Sequence, residues 1–300
     1  MLESCFRLQG PSCEALGVDM SQAENGSPVV KIHDASDPRI KEFQGLRDKE
    51  LRRLRELPDG DMAGVFIAEG DLVIERALAA GYKLRSVLVD GKRNQPLPDS
   101  LKTVKVFAAS DEVLEEIAGY HSYRGALGCF YRKKTESCEE LLADKSLKTF
   151  VVVEGINNPT NMGVIIRCAA GLSVDAILLS PDSIDPLSRR CCRVSMGTGF
   201  AIPYAWMDEV GQGLEQAKNA SIEVLALTPS VDAADISTFR CSRDQRVAVM
   251  LGAEGPGLTQ LALQAASQQI RIPMSSDTDS LNVGNAAAIA LYCLRQARDA

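Results

Sequence analysis

Histidine and tryptophan are nearly missing from this chain. Its 300 residues contain two histidines, His33 and His121, and a single tryptophan, and aromatic residues together make up 5%. Nine cysteines are present, an odd number, and none stands in a Cys-x-x-Cys pair. With so few ligands a zinc site of ordinary spacing cannot be drawn, and no metal is expected. The cysteines read as reduced, mostly buried thiols of a cytoplasmic protein. No run approaches the roughly 20 apolar residues that a membrane-crossing helix needs. No basic start followed by an apolar stretch marks a secretory leader.

An excess of base is missing too. Lysine and arginine number 33 against 40 acids, a formal charge of −7. Taken whole, that speaks against a polyanionic partner, because nucleic-acid binders usually present a basic face. The charge is uneven, however. Residues 1–30 carry −3, residues 31–150 balance at zero, and residues 151–300 carry −4. Within these spans three stretches are basic: residues 41–55 at +3, residues 121–134 at +4 with Arg124, Arg132, Lys133 and Lys134, and residues 186–207 at +3 with Arg189, Arg190 and Arg193. A solvated surface explains each run equally well when taken alone.

What is present is an ordinary globular composition, 45% hydrophobic and 24% charged, which excludes a wholly disordered chain. Residues 1–30 read as a loosely ordered extension. Phe43, Leu46, Leu51, Leu54 and Leu57 recur at helical spacing, and Pro58-Asp59-Gly60 stops that helix. Strands are expected at 64–68, 84–89, 104–107 and 126–131. Helices are expected at 71–80, with Leu72, Ile74 or Val73, Ala77 and Leu78 inward, and from Ser110 onward. This gives a small α/β unit over 31–135, followed by a charged link at 136–148. From residue 149 to 300 strands (150–153, 176–179, 223–227, 246–251, 269–272) alternate with helices (161–171, 208–220, 259–266, 286–297). Apolar strands alternating with helices predict a Rossmann-like, mostly parallel sheet covered on both faces.

Ligands of open α/β sheets bind beyond the C-terminal ends of the strands. Three such junctions are unusual here. Glu154-Gly155-Ile156-Asn157-Asn158-Pro159-Thr160-Asn161 leaves a strand and enters a helix bearing Arg167. Gly252-Ala253-Glu254-Gly255-Pro256-Gly257 places three glycines in six residues, so backbone can approach a ligand closely. It is neither a dinucleotide fingerprint nor a phosphate loop with its lysine. Ser280-Leu281-Asn282-Val283-Gly284-Asn285 opens the last apolar helix, whose free N–H groups face forward. Turn and cap chemistry accounts for each junction taken singly.

Together, in this order and separation, the three segments resemble the motifs of the SpoU (TrmH-type) RNA 2′-O-ribose methyltransferases of the SPOUT superfamily. Arg193-Val194-Ser195-Met196-Gly197 is similar to a further segment of that family. In the first half, Phe66-Ile67-Ala68-Glu69-Gly70 with Val73 and Glu75-Arg76-Ala77-Leu78, then His121-Ser122-Tyr123-Arg124-Gly125-Ala126-Leu127-Gly128, resemble its L30-like substrate-binding domain. The resemblance implies a trefoil-knotted sheet in the second half and a homodimer. It implies methyl transfer from S-adenosylmethionine to a ribose 2′-hydroxyl, with rRNA the first expectation for the substrate and tRNA the second. It carries Asn161, Arg167, Glu254, Ser280 and Asn282 over as catalytic residues. Leu227, Thr228, Gly252, Glu254, Gly257, Ile272, Met274, Leu281 and Asn282 are implied as cofactor contacts. Arg124, Arg132, Lys133, Arg189, Arg190 and Arg193 are implied as RNA contacts, on positive surface beside the motif loops. The family assigns Arg167 the role of base. Free arginine holds its proton above pH 12, so a cation that clamps phosphate and polarises the hydroxyl is an equal alternative. Gly284-Asn285 departs from the family's small-then-apolar pair, and Asn285 is expected to cap the last helix. An RNA-binding member without catalysis and a nucleotide-dependent oxidoreductase are the other function classes weighed; the intact motif residues disfavour the first and the missing fingerprint the second.

Overall fold

The structure is a computed structural model that describes residues 29–45, 55, 60–92, 104–119, 125–275 and 280–299. The expected extension at 1–28, most of the expected helix over 41–57, and the His121 to Arg124 part of the second N-terminal segment lie outside the described residues. Where that helix is expected to begin, the described residues form a 3-10 helix at Pro38–Phe43, which starts earlier and overlaps it only at residues 41–43, with Asp37 accepting the N–H of Arg39.

Two sheets organise the chain. In the first half, β1 (Val30–Ile32), β2 (Val65–Glu69), β3 (Leu84–Asp90), β4 (Lys105–Ala109) and β5 (Ala126–Tyr131) form a mixed sheet in the order β1-β4-β3-β5-β2. Helices α1 (Asp71–Ala79) and α2 (Asp111–Ala118) connect it. On α1 the buried side chains are Val73, Ile74 and Ala77. Leu72, expected inside, is exposed, because its neighbours already fill the stripe facing β2 and β5.

The second half is built on seven parallel strands: β6 (Thr149–Glu154), β7 (Ala176–Leu179), β8 (Tyr204–Trp206), β9 (Ile222–Leu227), β10 (Ala234–Asp235), β11 (Arg246–Gly252) and β12 (Gln268–Arg271). Their order is β10-β12-β9-β11-β6-β7-β8, so β11 is inserted between β6 and β9 after the chain has already passed both. Alternate residues serve opposite faces, as strand geometry requires. Val151, Val153, Val247 and Val249 pack against Ile165 and Ile166 of α4 (Pro159–Gly171) and Ala290, Leu291 and Leu294 of α8 (Val283–Asp299). Phe150, Val152, Ala248 and Met250 pack the other way, against α3 (Cys138–Ala143), α6 (Val210–Asn219) and α7 (Gln260–Ala265). The doubly covered parallel sheet expected from the alternation is thus present, with α5 (Arg189–Val194) lying beside α4.

The segment read as a charged link carries α3. Ser137 and Glu140 cap it reciprocally: Ser137 N–H donates to Glu140 Oε2 at 2.7 Å and Glu140 N–H to Ser137 Oγ at 3.1 Å. Ser-x-x-Glu is a local helix-start signal, which the reading of this segment as a charged link leaves unused. At the same end of the sheet, the buried guanidinium of Arg246 donates to the carbonyls of Asp144, Leu147 and Ala220 at 2.9–3.0 Å. It also lies 5.2 Å from the Phe150 ring centroid. Periodicity gives no hint of such a staple.

The two halves share a core. Phe66 of β2 lies 5.5 Å, centroid to centroid, from Phe200 of the second half, and Tyr82 makes the same contact at 5.5 Å. Burial pushes the Cys129 thiol up to about 12 and that of Cys138 to about 11, so both stay protonated as the sequence reading expected. Among the described residues no helix is long and apolar enough to cross a membrane.

Candidate active site

Every strand of the second sheet points its C-terminal end at one rim, and a cavity of about 330 Å³ opens there. It lies beyond β9, β11 and β12 and against the start of α8. All nine expected cofactor contacts line it: Leu227, Thr228, Gly252, Glu254, Gly257, Ile272, Met274, Leu281 and Asn282. Ser280 lines it as well. Its size falls within the range of small-molecule pockets. Its chemistry, apolar walls from Leu227, Leu251, Ile272 and Leu281 with a few polar groups, suits a purine nucleoside bearing a charged aliphatic tail.

The polar end of the site is a three-residue network. Asn161, in the first turn of α4, is 5% exposed and its amide donates to Glu254 Oε1. Asn282 Nδ2 donates to the same Glu254 oxygen at 3.0 Å and to Asn161 Oδ1 at 3.1 Å. Asn282 Oδ1 in turn accepts the Gly284 N–H at 3.0 Å, which caps α8. Three residues separated by about 120 positions are thereby locked with one carboxylate oxygen at the centre. The cap is Asn282 and not Asn285, which is exposed inside the helix. The small residue of the pair, Gly284, has a packing reason, since a Cβ there would lie 2.6 Å from Val164 Cγ1; the departure is at Asn285. Only a bare backbone lets α8 approach α4 this closely.

Local sequence sets these positions. Pro159 occupies the first turn of α4, and Asn158 caps it by accepting the Thr160 N–H at 2.9 Å. Glu154, at the end of β6, is buried and was not singled out from the sequence. Its carboxylate accepts the Thr259 N–H at 2.9 Å and hydroxyl at 2.8 Å, fixing the loop that follows the glycines.

Arg167 is exposed and does not line the cavity. Six residues along α4 rotate it roughly 120° away from Asn161. Among the described residues no hydrogen bond or ion pair holds it. Ser280 is exposed at the cavity and takes no part in the amide network.

The expected RNA contacts divide. Lys133 is exposed and lines a second cavity of about 320 Å³ with Tyr82, Phe200 and Tyr204 at the junction of the two halves; its neighbour Lys134, not among the expected contacts, is exposed and lines it too. Arg124 lies outside the described residues. Arg132 is bridged to Asp185 at 2.6 Å. Arg189 corrects the sequence reading: it is 4% exposed and bonded to Glu69 of the first half at 2.7 Å, so it faces protein and not solvent. Arg193 also reaches Glu69, at 3.2 Å. Arg190 donates to Thr160 Oγ1 at 2.9 Å. The basic run at 186–207 is thus partly an internal joint: Arg189 is buried in it, Arg190 is half-buried, and Arg193 keeps 40% of its side chain exposed while reaching Glu69.

Comparison with known proteins agrees with this geometry. Residues 148–292 match the SpoU rRNA methylase family, and residues 37–128 match the MRM3-like substrate binding domain. An uncharacterised tRNA/rRNA methyltransferase of Mycobacterium bovis is 38% identical over 91% of this chain and 93% of its own length. A crystal structure of an RNA 2′-O ribose methyltransferase superposes with a TM-score of 0.68 at 27% identity, covering 89% of this chain and 99% of that one. The AdoMet-bound rRNA methyltransferase of Sinorhizobium meliloti shares the fold, with a TM-score of 0.73 at 24% identity over 89% and 98% of the two chains. The chain belongs to the SpoU rRNA methylase family: it is an S-adenosylmethionine-dependent RNA methyltransferase with a substrate-binding domain ahead of its catalytic sheet.

Proposed function

We propose that this enzyme methylates a ribose 2′-hydroxyl of rRNA, with tRNA as the second substrate class. The observation that carries the reading is the Asn161–Glu254–Asn282 network at the polar end of the cofactor cavity. S-adenosylmethionine, when bound, supplies a methyl carbon activated by the adjacent sulfonium. The chain then has to orient the attacking oxygen and dispose of its proton. Leu227, Leu251, Ile272 and Leu281 supply apolar walls that exclude water. Glu254, held by two amides, presents a fixed negative group at the polar end. The direct test maps 2′-O-methyl groups in total RNA from a strain lacking the enzyme. Loss at one rRNA nucleotide is expected; an unchanged map would sink the proposal.

Arg167 acts here as a cation. It is exposed, and no carboxylate among the described residues neutralises it, which leaves its guanidinium for an RNA phosphate. The pH–rate profile should show no inflection near neutral pH that disappears in Arg167→Ala. Such an inflection would restore the role of base.

Lys133 and Lys134 serve as RNA contacts at the domain junction. Lys133 Nζ sits 4.6 Å from the Tyr82 ring centroid, beside an exposed Tyr131. Replacing both lysines by alanine should weaken RNA binding and flatten the slope of log affinity against log salt by about 1.5, leaving cofactor affinity unchanged. An unaltered slope in a filter-binding titration would remove them from the interface.

Two copies pair through α8. Ile289 and Tyr292 expose apolar surface on its outer side, Tyr292 to 55%, and Leu281 continues the stripe to the cavity. Light scattering should give a dimer that Tyr292→Glu splits; a monomeric parent protein would refute the pairing. The trefoil knot is part of the same proposal. Its support is the insertion of β11 between β6 and β9. A crystallographic trace in which the chain beyond residue 272 passes outside the preceding loops would exclude it.

A further inference from the structure

Helix α5 is only six residues long, yet both halves of the protein hold it. On one side stands Glu69, the last residue of β2 and 5% exposed. Its Oε2 accepts Arg189 Nε at 2.7 Å and its Oε1 accepts Arg193 Nη1 at 3.2 Å. Those arginines are four apart, so they share one face of α5. Arg189 also donates to the Ala118 carbonyl at 3.4 Å, at the C-terminus of α2, where a cation suits the helix dipole. Just past α5, Met196 adopts a left-handed φ of +56°, and its carbonyl accepts Arg76 Nη1 of α1 at 2.6 Å. A left-handed side-chain residue costs about 1 kcal/mol or more, so it persists where its surroundings fix it.

On its other side α5 grips the start of α4. Arg190 Nε donates to Thr160 Oγ1 at 2.9 Å, and Cys191 Sγ to the Pro159 carbonyl at 3.3 Å. Val194 packs over Gly163 so closely that a Cβ there would lie 2.6 Å from Val194 Cβ. Pro159 and Thr160 immediately precede Asn161. A contact packed this tightly transmits displacement, since no free volume absorbs it.

The charged trio is not needed for adhesion. Phe66, Tyr82 and Phe200 already join the halves through apolar surface. Buried ion pairs contribute little net stability compared with apolar packing; what they define is one geometry. We propose that Glu69 of the substrate-binding domain is a positioning residue for methyl transfer. Through Arg189 and Arg193 it sets α5, and through α5 the first turn of α4, so that the Asn161 amide meets Glu254. RNA recognition in one domain and catalytic geometry in the other then share a single mechanical part. This inference rests on the methyltransferase reading above.

The test uses the full-length enzyme, labelled S-adenosylmethionine and total RNA from a strain lacking the enzyme. In Glu69→Gln, which keeps the side chain's shape, kcat should fall about tenfold or more, by the sensitivity of oriented reactions to small displacements. Cofactor affinity by calorimetry should stay within about twofold, because no wall of the cavity is touched. Thr160→Val removes the Arg190 hydrogen bond to the start of α4 without touching the domain joint, leaving the Cys191 and Val194 contacts in place, and it should show the same split. Hydrogen exchange at residues 160–163 should quicken in both variants. Wild-type kcat in Thr160→Val overturns the proposal, and so does Glu69→Gln with unchanged exchange at 160–163. If the parent enzyme transfers no label to any RNA, the methyltransferase reading fails instead, and the exchange data alone decide the coupling.

Discussion

Replacing Asn282 by alanine should lower methyl transfer by about 10²- to 10³-fold, the range seen when one preorganised donor is removed from an active site. The expectation follows from how much this one amide holds. Its Nδ2 binds both Glu254 and Asn161, and its Oδ1 caps α8 through Gly284 N–H. Alanine therefore leaves the Glu254 carboxylate held by the Asn161 amide alone and leaves Asn161 Oδ1 without this donor. Stability should fall by only about 1 kcal/mol, the usual value of a lost cap. Asn282→Asp separates the two roles. An aspartate still caps the helix, so the melting temperature should stay near that of the parent. It also places a second carboxylate beside Glu254 and removes the donor, so activity should be lost as fully as with alanine at neutral pH. Like charges in one site favour a shared proton. Activity in Asn282→Asp should therefore recover partly as pH falls, while Asn282→Ala should show no such recovery. Steady-state rates across pH, with thermal melts on the same samples, check both. An Asn282→Asp enzyme with full activity at neutral pH would show that the network is architectural only.

That network shows why some of the site could be read in advance and some could not. Glycine and asparagine at strand ends are local signals with local causes, and all nine expected cofactor contacts do line one cavity. The near-continuous apolar runs of β6, β9 and β11 likewise follow from a parallel sheet covered on both faces, as the two core clusters on its opposite sides bear out. The arginines behave differently. In the sequence Arg189, Arg190 and Arg193 are a basic run with no acid between residues 186 and 207. Glu69, the partner of Arg189 and Arg193, lies about 120 residues away, and no local pattern announces such a pair. The same limit hid Arg246, whose acceptors are carbonyls 26 to 102 residues away. Net charge therefore misleads twice here. It argued against RNA when summed over the chain, and it overstated open positive surface when summed over a segment. Among these groups, what remains exposed is Lys133 and Lys134 at the joint, Arg167 on α4 and part of the Arg193 side chain.

Gly252→Ala should weaken S-adenosylmethionine binding about a hundredfold, through space and not through backbone strain. A Cβ at this position would overlap Gly257 C and Leu258 N, both backbone atoms that cannot turn aside as a side chain tip can. The reason is the fold of the loop: Gly257 N–H returns to the Ala253 carbonyl at 3.1 Å, so residues 253–257 close back over the end of β11. A methyl group there must push that loop outward, and the loop is one wall of the cavity. A shift near 1 Å is enough for a loss of about 10² where geometry is demanding. Gly255→Ala is the contrasting case. Its φ is +87° and nothing lies within 4 Å of the added carbon. There the cost is conformational, about 1 kcal/mol, so the loop keeps its place and cofactor affinity should fall less than about tenfold. Calorimetric titration of the two variants ranks the mechanisms. If Gly255→Ala proved the more damaging, the left-handed turn would matter more than the close approach of β11 to its own loop. If neither lost affinity, the cofactor would have to sit outside this cavity, and the role given to Glu254 and Asn282 would fall with it.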